Sequence, residues 1–173
     1  SQPRIKQVFI GKSSHDQSEE EFNLKLYLAR KISENSIYSS PLSQKNFFYF
    51  SSLHNRTIIY KGLLIPEDIE RFYIDLKNPM LVTRLALVHQ RFSTNTFPTW
   101  DLAQPFRYMC HNGEINTLKG NINRMVSRQE LMDSDLIDKS DLKKVFPIIL
   151  EGKSDSASMD MVLELLLMTG RSL

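Results

Sequence analysis

The spacing of hydrophobic and polar residues predicts five helices along the chain. Ser18 and Glu21 stand three residues apart, as in a capping box, and apolar residues then recur at helical intervals over about 19–34. Pro66 can occupy the first turn of a short helix over 66–73, whose acidic residues lie near its N-terminus. The same reasoning predicts three later helices: one over about 114–132, a short one within 133–147, and a last one capped by Ser154.

Runs rich in β-branched and aromatic residues predict strands between these helices. RLALVHQ at 84–90 has the composition of a buried strand, and two adjacent runs joined at His54-Asn55 suggest a hairpin. The predicted strands are 4–10, 46–53, 56–62, 84–90 and 106–111. Because strands and helices mix without regular βαβ alternation, the pattern favours an α+β fold over a parallel sheet.

Composition limits the classes of protein to consider. With 173 residues, 41% of them hydrophobic, the chain can bury one core and is expected to form one domain. A net charge of +2 gives no support for nucleic acid or an anionic membrane as the main partner. A single cysteine, Cys110, and a start without the apolar core of a signal peptide fit a reducing compartment, the cytoplasm or a plastid stroma.

Three groups of polar residues have the chemistry to bind a small zwitterion and stabilise an oxyanion. Arg91 follows the predicted strand at 84–90, and its guanidinium can bind a carboxylate through two parallel hydrogen bonds. Asn112 and Gly113 follow another predicted strand and can present an amide and a backbone N–H to a developing negative charge. Asp155 lies at a predicted helix start. Taken singly, Arg91 could be an ordinary surface arginine, Asn112–Gly113 an ordinary turn and Asp155 an ordinary helix cap. The interpretation therefore depends on the presence of all three together.

Longer stretches around these residues resemble one known family. RFSTNTFPTWDLAQPFR, then HNGEINTLKGN, then SDSAS resemble the glutaminase domain of the glutamate synthase large subunit, a class II (N-terminal nucleophile) glutamine amidotransferase. RTIIYKGLL, RFYIDL and RIKQVFIG extend the resemblance over nearly the whole chain. It implies a four-layer αββα sandwich of the N-terminal nucleophile hydrolase type. Residues 1–173 would form only part of that domain, and the sandwich would be incomplete.

The resemblance also implies roles for individual residues. Arg91 would bind the α-carboxylate of glutamine and Asp155 its ammonium group. The Asn112 amide and the Gly113 N–H would form the oxyanion hole. Thr94, together with Phe97 and Trp100, would belong to a loop that closes over the substrate.

The nucleophile is the departure from the family pattern. The family uses a cysteine at the mature N-terminus, whose own α-amino group serves as the base. This sequence begins with Ser1, so we expect that cysteine upstream of the chain and expect the chain alone to be inactive. Cys110 is adjacent to His111, but neighbouring side chains on a strand point to opposite faces, which favours Cys110 as a packed small residue.

Two functions remain open from the sequence. In the first, the parent protein is a glutamate synthase that hydrolyses glutamine here and uses the ammonia to convert 2-oxoglutarate to glutamate. Its FMN, its iron–sulfur cluster and its contact with ferredoxin or a nicotinamide-oxidising subunit would then lie in the remaining domains, since this chain has no cysteine cluster or flavin loop. In the second, the chain is a non-catalytic module that binds glutamine or another subunit.

Overall fold

A computed structural model describes residues 2–91 and 96–172. Five α-helices occur in these ranges: α1 (Glu19–Tyr38), α2 (Pro66–Phe72), α3 (Leu118–Gln129), α4 (Lys139–Val145) and α5 (Asp155–Met168). Two short 3₁₀ helices accompany them, Lys45–Phe47 and Ile74–Lys77. All five predicted helices are therefore present, with shifts at some ends.

Local hydrogen bonds explain why α1 and α5 begin where the sequence predicts. The Ser18 hydroxyl accepts a hydrogen bond from the Glu21 N–H at 3.0 Å. The Ser154 hydroxyl accepts one from the Ala157 N–H at 3.2 Å. Each bond satisfies an N–H group that a helix start otherwise leaves without a partner. Helix α1 continues past the predicted end at about residue 34, to Tyr38.

The core forms where α1, α4 and α5 meet. Its buried members are Tyr27, Val145, Ile148 and Leu165. Two buried polar side chains of α1 also form hydrogen bonds in this core. Asn35 Nδ2 donates to the Val145 carbonyl at 2.9 Å, and Lys31 Nζ donates to the Ile148 carbonyl at 2.8 Å. These bonds satisfy carbonyls at the end of α4 and in the turn after it, where the helix itself provides no donors. The end of α4 and the turn after it are thus fixed against α1.

Helix α3 begins later than the predicted position of about residue 114. Thr117, the residue before it, has φ 60°, a left-handed conformation that an α-helix cannot continue through. The Ile115 N–H, which the predicted helix would contain, instead donates to the Asp155 carboxylate. Ile115 is therefore bonded to α5 and lies outside α3.

None of the five predicted strands is present within residues 2–91 and 96–172. A strand needs a neighbouring strand to satisfy its backbone groups, and in 106–111 side chains take that role instead, since Arg107 and Tyr108 donate their N–H groups to Asp160. In 84–90 the apolar side chains are largely exposed, with Val88 at 84%. The hairpin over 46–62 is likewise wrong for this structure, and the four-layer sandwich is not confirmed.

Candidate active site

The Asn112–Gly113 turn follows a loop that one side chain closes. Gln104 Nε2 donates to the His111 carbonyl at 2.8 Å, and the His111 N–H donates to Gln104 Oε1 at 2.7 Å. Inside the loop, the Phe106 N–H donates to the Met109 carbonyl at 2.9 Å. A carboxamide carries a donor and an acceptor side by side, so it can replace the two ladder bonds that a neighbouring strand would supply. His111, the residue directly before the turn, is therefore held in place by its two hydrogen bonds to Gln104, which we call the Gln104 clasp.

A buried carboxylate of α5 anchors the middle of the same loop. Asp160, 1% exposed, accepts the Arg107 N–H at 3.1 Å and the Tyr108 N–H at 2.8 Å. Burial raises the pKa of Asp160, although both N–H groups oppose this by stabilising the carboxylate. The loop over 104–111 is thus attached to the second turn of α5.

Asp155 connects the other side of the turn to the start of α5. Its Oδ2 accepts the Ile115 N–H at 2.7 Å, and its Oδ1 accepts the Ser156 N–H at 2.6 Å. The positive end of the helix dipole favours a carboxylate at this first position. Since Asp155 is 8% exposed, most of its charge is shielded from solvent. Asp155 is therefore bonded to the backbone two residues after Gly113, and its role in binding a substrate remains a prediction.

The imidazole of His111 belongs to this arrangement. Its Nδ1 lies 3.2 Å from the Ser156 hydroxyl, which in turn lies 3.2 Å from Asp155 Oδ1. A Cβ added to Gly113 would lie 3.0 Å from His111 Nε2, so the imidazole covers the glycine closely. The His111 ring is thus directed to Ser156 and Gly113. Cys110, the neighbouring free thiol, is half-buried.

The structure does not bring every predicted site residue together. Asn112 and Gly113 are exposed, as groups that receive a ligand must be. Arg91 is also exposed, at the end of a described range, and within residues 2–91 and 96–172 no hydrogen bond or ion pair joins it to Asp155. Thr94 lies outside the described residues. The clamp that Arg91 and Asp155 would form therefore remains a prediction.

The other two residues of the predicted closing loop differ from each other. Phe97 is 84% exposed. Trp100 is half-buried, its ring centroid 5.6 Å from that of Phe72. It also contacts Gly62 so closely that no side chain could replace the glycine hydrogen without a shift. Trp100 therefore fixes one end of this segment to the body of the protein, and Phe97 remains available to a ligand.

A buried ionic network fixes α5 against α1, and its long-range pairs could not be read from the sequence. Arg30, 2% exposed, forms ion pairs with Glu34 at 2.6 Å and with Glu164 of α5. Arg107 joins the same two carboxylates, with its guanidinium 3.5 Å from Glu34 and 3.7 Å from Glu164. Two positive charges thus face two negative ones. The i,i+4 spacing of Arg30 and Glu34 was the one signal in the sequence that could have suggested a part of it.

A buried lysine, Lys61, adjoins this network. Lys61 Nζ donates to the Asp101 carbonyl at 2.7 Å and lies 5.1 Å from the ring centroid of Phe106. Burial lowers the pKa of Lys61 to about 7, because an ammonium group is poorly solvated there. A cavity of about 40 Å³ lies beside it, large enough for water. Lys61 thus links the predicted closing segment to the loop over 104–111.

Over residues 2–91 and 96–172, no group of three or more His, Cys, Asp or Glu side chains is arranged to hold a metal ion. No helix in the described part of the chain is both long and apolar enough to cross a membrane.

Comparison with known proteins shows the family of the chain. The chain is 48% identical, over 98% of its length, to the glutamate synthase [NADPH] large chain of Bacillus subtilis. It is 51% identical, over 88% of its length, to the glutamate synthase [NADH] of Saccharomyces cerevisiae, and 42% identical, over 99%, to ferredoxin-dependent glutamate synthase 2 of Synechocystis. The chain spans 11%, 7% and 10% of these proteins respectively. Because the family pattern of class-II glutamine amidotransferases matches residues 1–173, the whole of the chain, this protein belongs to that family.

Proposed function

We propose that this chain binds free glutamine and forms part of the glutaminase domain of a glutamate synthase. The observation that carries the proposal is the family match over residues 1–173, and the names of the similar proteins direct it to glutamate synthase. The contact between Asp155 and the Ile115 N–H supports it, since it brings an acidic group beside the Asn112–Gly113 turn.

Two charged side chains would recognise the zwitterion of free glutamine. Arg91 binds the α-carboxylate, where a planar guanidinium can form two parallel hydrogen bonds. Asp155 binds the α-ammonium group, because a carboxylate can accept more bonds than the two that Ile115 and Ser156 donate. A glutamine side chain within a protein has neither charge, so this clamp would select the free amino acid. Thr94 contributes to the segment that closes over it.

Neutral groups would act at the reacting amide. Attack of a thiolate on the side-chain carbonyl carbon of glutamine produces an oxyanion, which the Asn112 amide and the Gly113 N–H stabilise by hydrogen bonds. Ammonia leaves as the carbonyl re-forms, and water then releases glutamate from the thioester. The nucleophile is a cysteine outside this chain, with its own α-amino group as the base. The contact of the His111 imidazole with Ser156 supports leaving Cys110 out of this role, because the ring is bonded away from that thiol.

The complete domain would be the four-layer αββα sandwich, of which this chain is an incomplete part. Exposed apolar side chains support this proposal, because segments predicted as strands carry them: Val8 at 69%, Phe9 at 87%, Leu85 at 74% and Val88 at 84% exposed. Pairing with neighbouring strands would bury these side chains and satisfy the backbone of the same segments.

The rest of the parent protein would use the ammonia. We propose that it aminates 2-oxoglutarate and reduces the product to glutamate with FMN and an iron–sulfur cluster held by other domains. The names of the similar proteins include NADPH, NADH and ferredoxin as electron sources, so each is a candidate here. Two similar proteins, from rice and Arabidopsis thaliana, are chloroplastic by name. The plastid stroma and the cytoplasm are therefore both candidate locations for the parent protein.

Measurement of glutaminase activity tests the proposal. The full-length parent protein, incubated with glutamine, should release glutamate and ammonia in equal amounts. It should leave asparagine, whose side chain is one methylene shorter, largely unreacted. Binding of glutamine without release of ammonia would instead identify a non-catalytic module, and failure to bind glutamine would refute the proposal.

A further inference from the structure

The Asn112–Gly113 turn is held from both sides by side chains that play no part in the proposed chemistry of the oxyanion. On the N-terminal side, Gln104 bonds both backbone groups of His111, at 2.7 and 2.8 Å. On the C-terminal side, the Ile115 N–H is fixed to Asp155 at 2.7 Å. The two anchors enclose three residues, 112–114, which are all exposed.

The two anchors differ in what else they do. Asp155 has its own proposed role in binding the substrate ammonium, so its removal would affect glutamine binding directly. Gln104 has no such role: it is half-buried, and its amide is used on both sides by the backbone of His111. Substitution of Gln104 would therefore affect the reaction only by changing the position of the turn.

An oxyanion hole is sensitive to this kind of positioning. Its donors lower the barrier because they already point to where the charge develops, so no reorganisation is needed during the reaction. A displacement of about 1 Å at a reacting group can cost roughly a hundredfold in rate. Without the Gln104 clasp, both backbone groups of His111 would lose their partner, and the peptide before Asn112 could rotate.

We propose that Gln104 is a positioning residue that sets the orientation of the Asn112–Gly113 oxyanion hole through its two hydrogen bonds to His111. The proposal rests on the proposed function, specifically on the assignment of Asn112 and Gly113 as oxyanion donors. Loss of Gln104 should therefore lower kcat. It should have little effect on the binding of glutamine, because the charges of Arg91 and Asp155 provide that binding.

Two substitutions in the full-length parent protein test this. Gln104→Leu keeps the approximate volume and removes both bonds, and we expect kcat for glutamine hydrolysis to fall roughly tenfold or more, with KM changed less than about threefold. Gln104→Glu adds a pH readout. Protonated glutamic acid has a donor and an acceptor like glutamine, whereas its ionised form has acceptors only and would repel the His111 carbonyl.

The ratio of kcat for Gln104→Glu to kcat for the unsubstituted protein should therefore rise as pH is lowered from 8 towards the ordinary carboxyl pKa of about 4.3. The same ratio for Gln104→Leu should stay constant with pH. Gln44→Leu is the matched control, because Gln44 is exposed and its side chain makes no capping bond. We expect it to leave kcat and KM unchanged.

Asn112→Ala separates the two levels of the proposal. If Asn112→Ala lowers kcat and Gln104→Leu does not, the positioning role is wrong and the proposed function stands. If Asn112→Ala leaves kcat unchanged, the oxyanion assignment itself fails. A fall in the melting temperature of Gln104→Leu that accounts for its lost activity, with no pH-dependent recovery in Gln104→Glu, would also overturn the positioning role.

Discussion

Removal of one carboxylate from the buried ionic network should destabilise the protein strongly. Arg30 has 2% of its surface exposed and pairs with Glu34 and Glu164, whose side chains are 6% and 8% exposed. With Arg107 as the fourth member, the network is electrically balanced. Glu164→Gln keeps the shape and leaves one positive charge without compensation in a region that solvent cannot reach.

The expected cost follows from that imbalance. Breaking a buried ion pair by removal of one partner costs about 3–5 kcal/mol, because the remaining charge has lost both water and its counter-ion. The double variant Arg30→Met with Glu164→Leu removes one charge of each sign and leaves Arg107 paired with Glu34 at 3.5 Å. Replacement of a buried ion pair by apolar side chains of similar volume is often neutral or stabilising, so the double variant should recover most of the loss.

Urea unfolding followed by far-UV circular dichroism measures both effects, since the network joins two helices. Glu151→Gln, a change of the same chemistry at an exposed position in a turn, is the control and should alter the free energy of unfolding by less than about 0.5 kcal/mol. A cost of less than about 1 kcal/mol for Glu164→Gln, or a double variant as unstable as the single one, would exclude this role of the network.

Three further predictions concern the substrate and the pH dependence of stability. Arg91→Ala in the parent protein should raise KM for glutamine strongly with a smaller change in kcat, measured by steady-state release of glutamate; an unchanged KM would exclude the carboxylate clamp. Asn112→Ala should lower kcat roughly a hundredfold with KM largely retained, because it removes a donor used in the transition state. Burial lowers the pKa of Lys31 to about 7, whereas an unfolded lysine titrates near about 10.4, so the unfolded state binds an additional proton between these values. Stability should therefore rise with pH across this window, and the slope should be smaller in Lys31→Met; equal slopes would contradict the assignment.

The helices could be predicted well because their causes are local. The starts of α1 and α5 depend on Ser18 and Ser154, each bonded to an N–H three residues away. Pro66 begins α2 for an equally local reason, since its fixed φ suits a first helical turn. The start of the third predicted helix was harder to predict, because the competing bond from the Ile115 N–H goes to a carboxylate far along the chain.

The predicted strands failed for the opposite reason. A strand is stable only beside another strand, and alternation of side chains identifies candidates without providing the partner. In 106–111 the partner groups are Gln104 and Asp160, and the latter is more than fifty positions from Arg107 and Tyr108. Nothing in the periodicity of the segment indicates that side chains would replace a ladder.

The sequence by itself determined the family and the identity of the candidate site residues, because both depend on which residue types occur in which order. Tertiary structure alone decided how that site is held: Gln104 on His111, Asp155 on Ile115, and Arg30 on Glu164, a pair separated by 134 positions. The physical reason is that a buried carboxylate or amide is stable only with a partner, and the path of the chain selects the partner. The same residue types could have been recognised in any fold, but the orientation of the Asn112–Gly113 turn follows from these contacts.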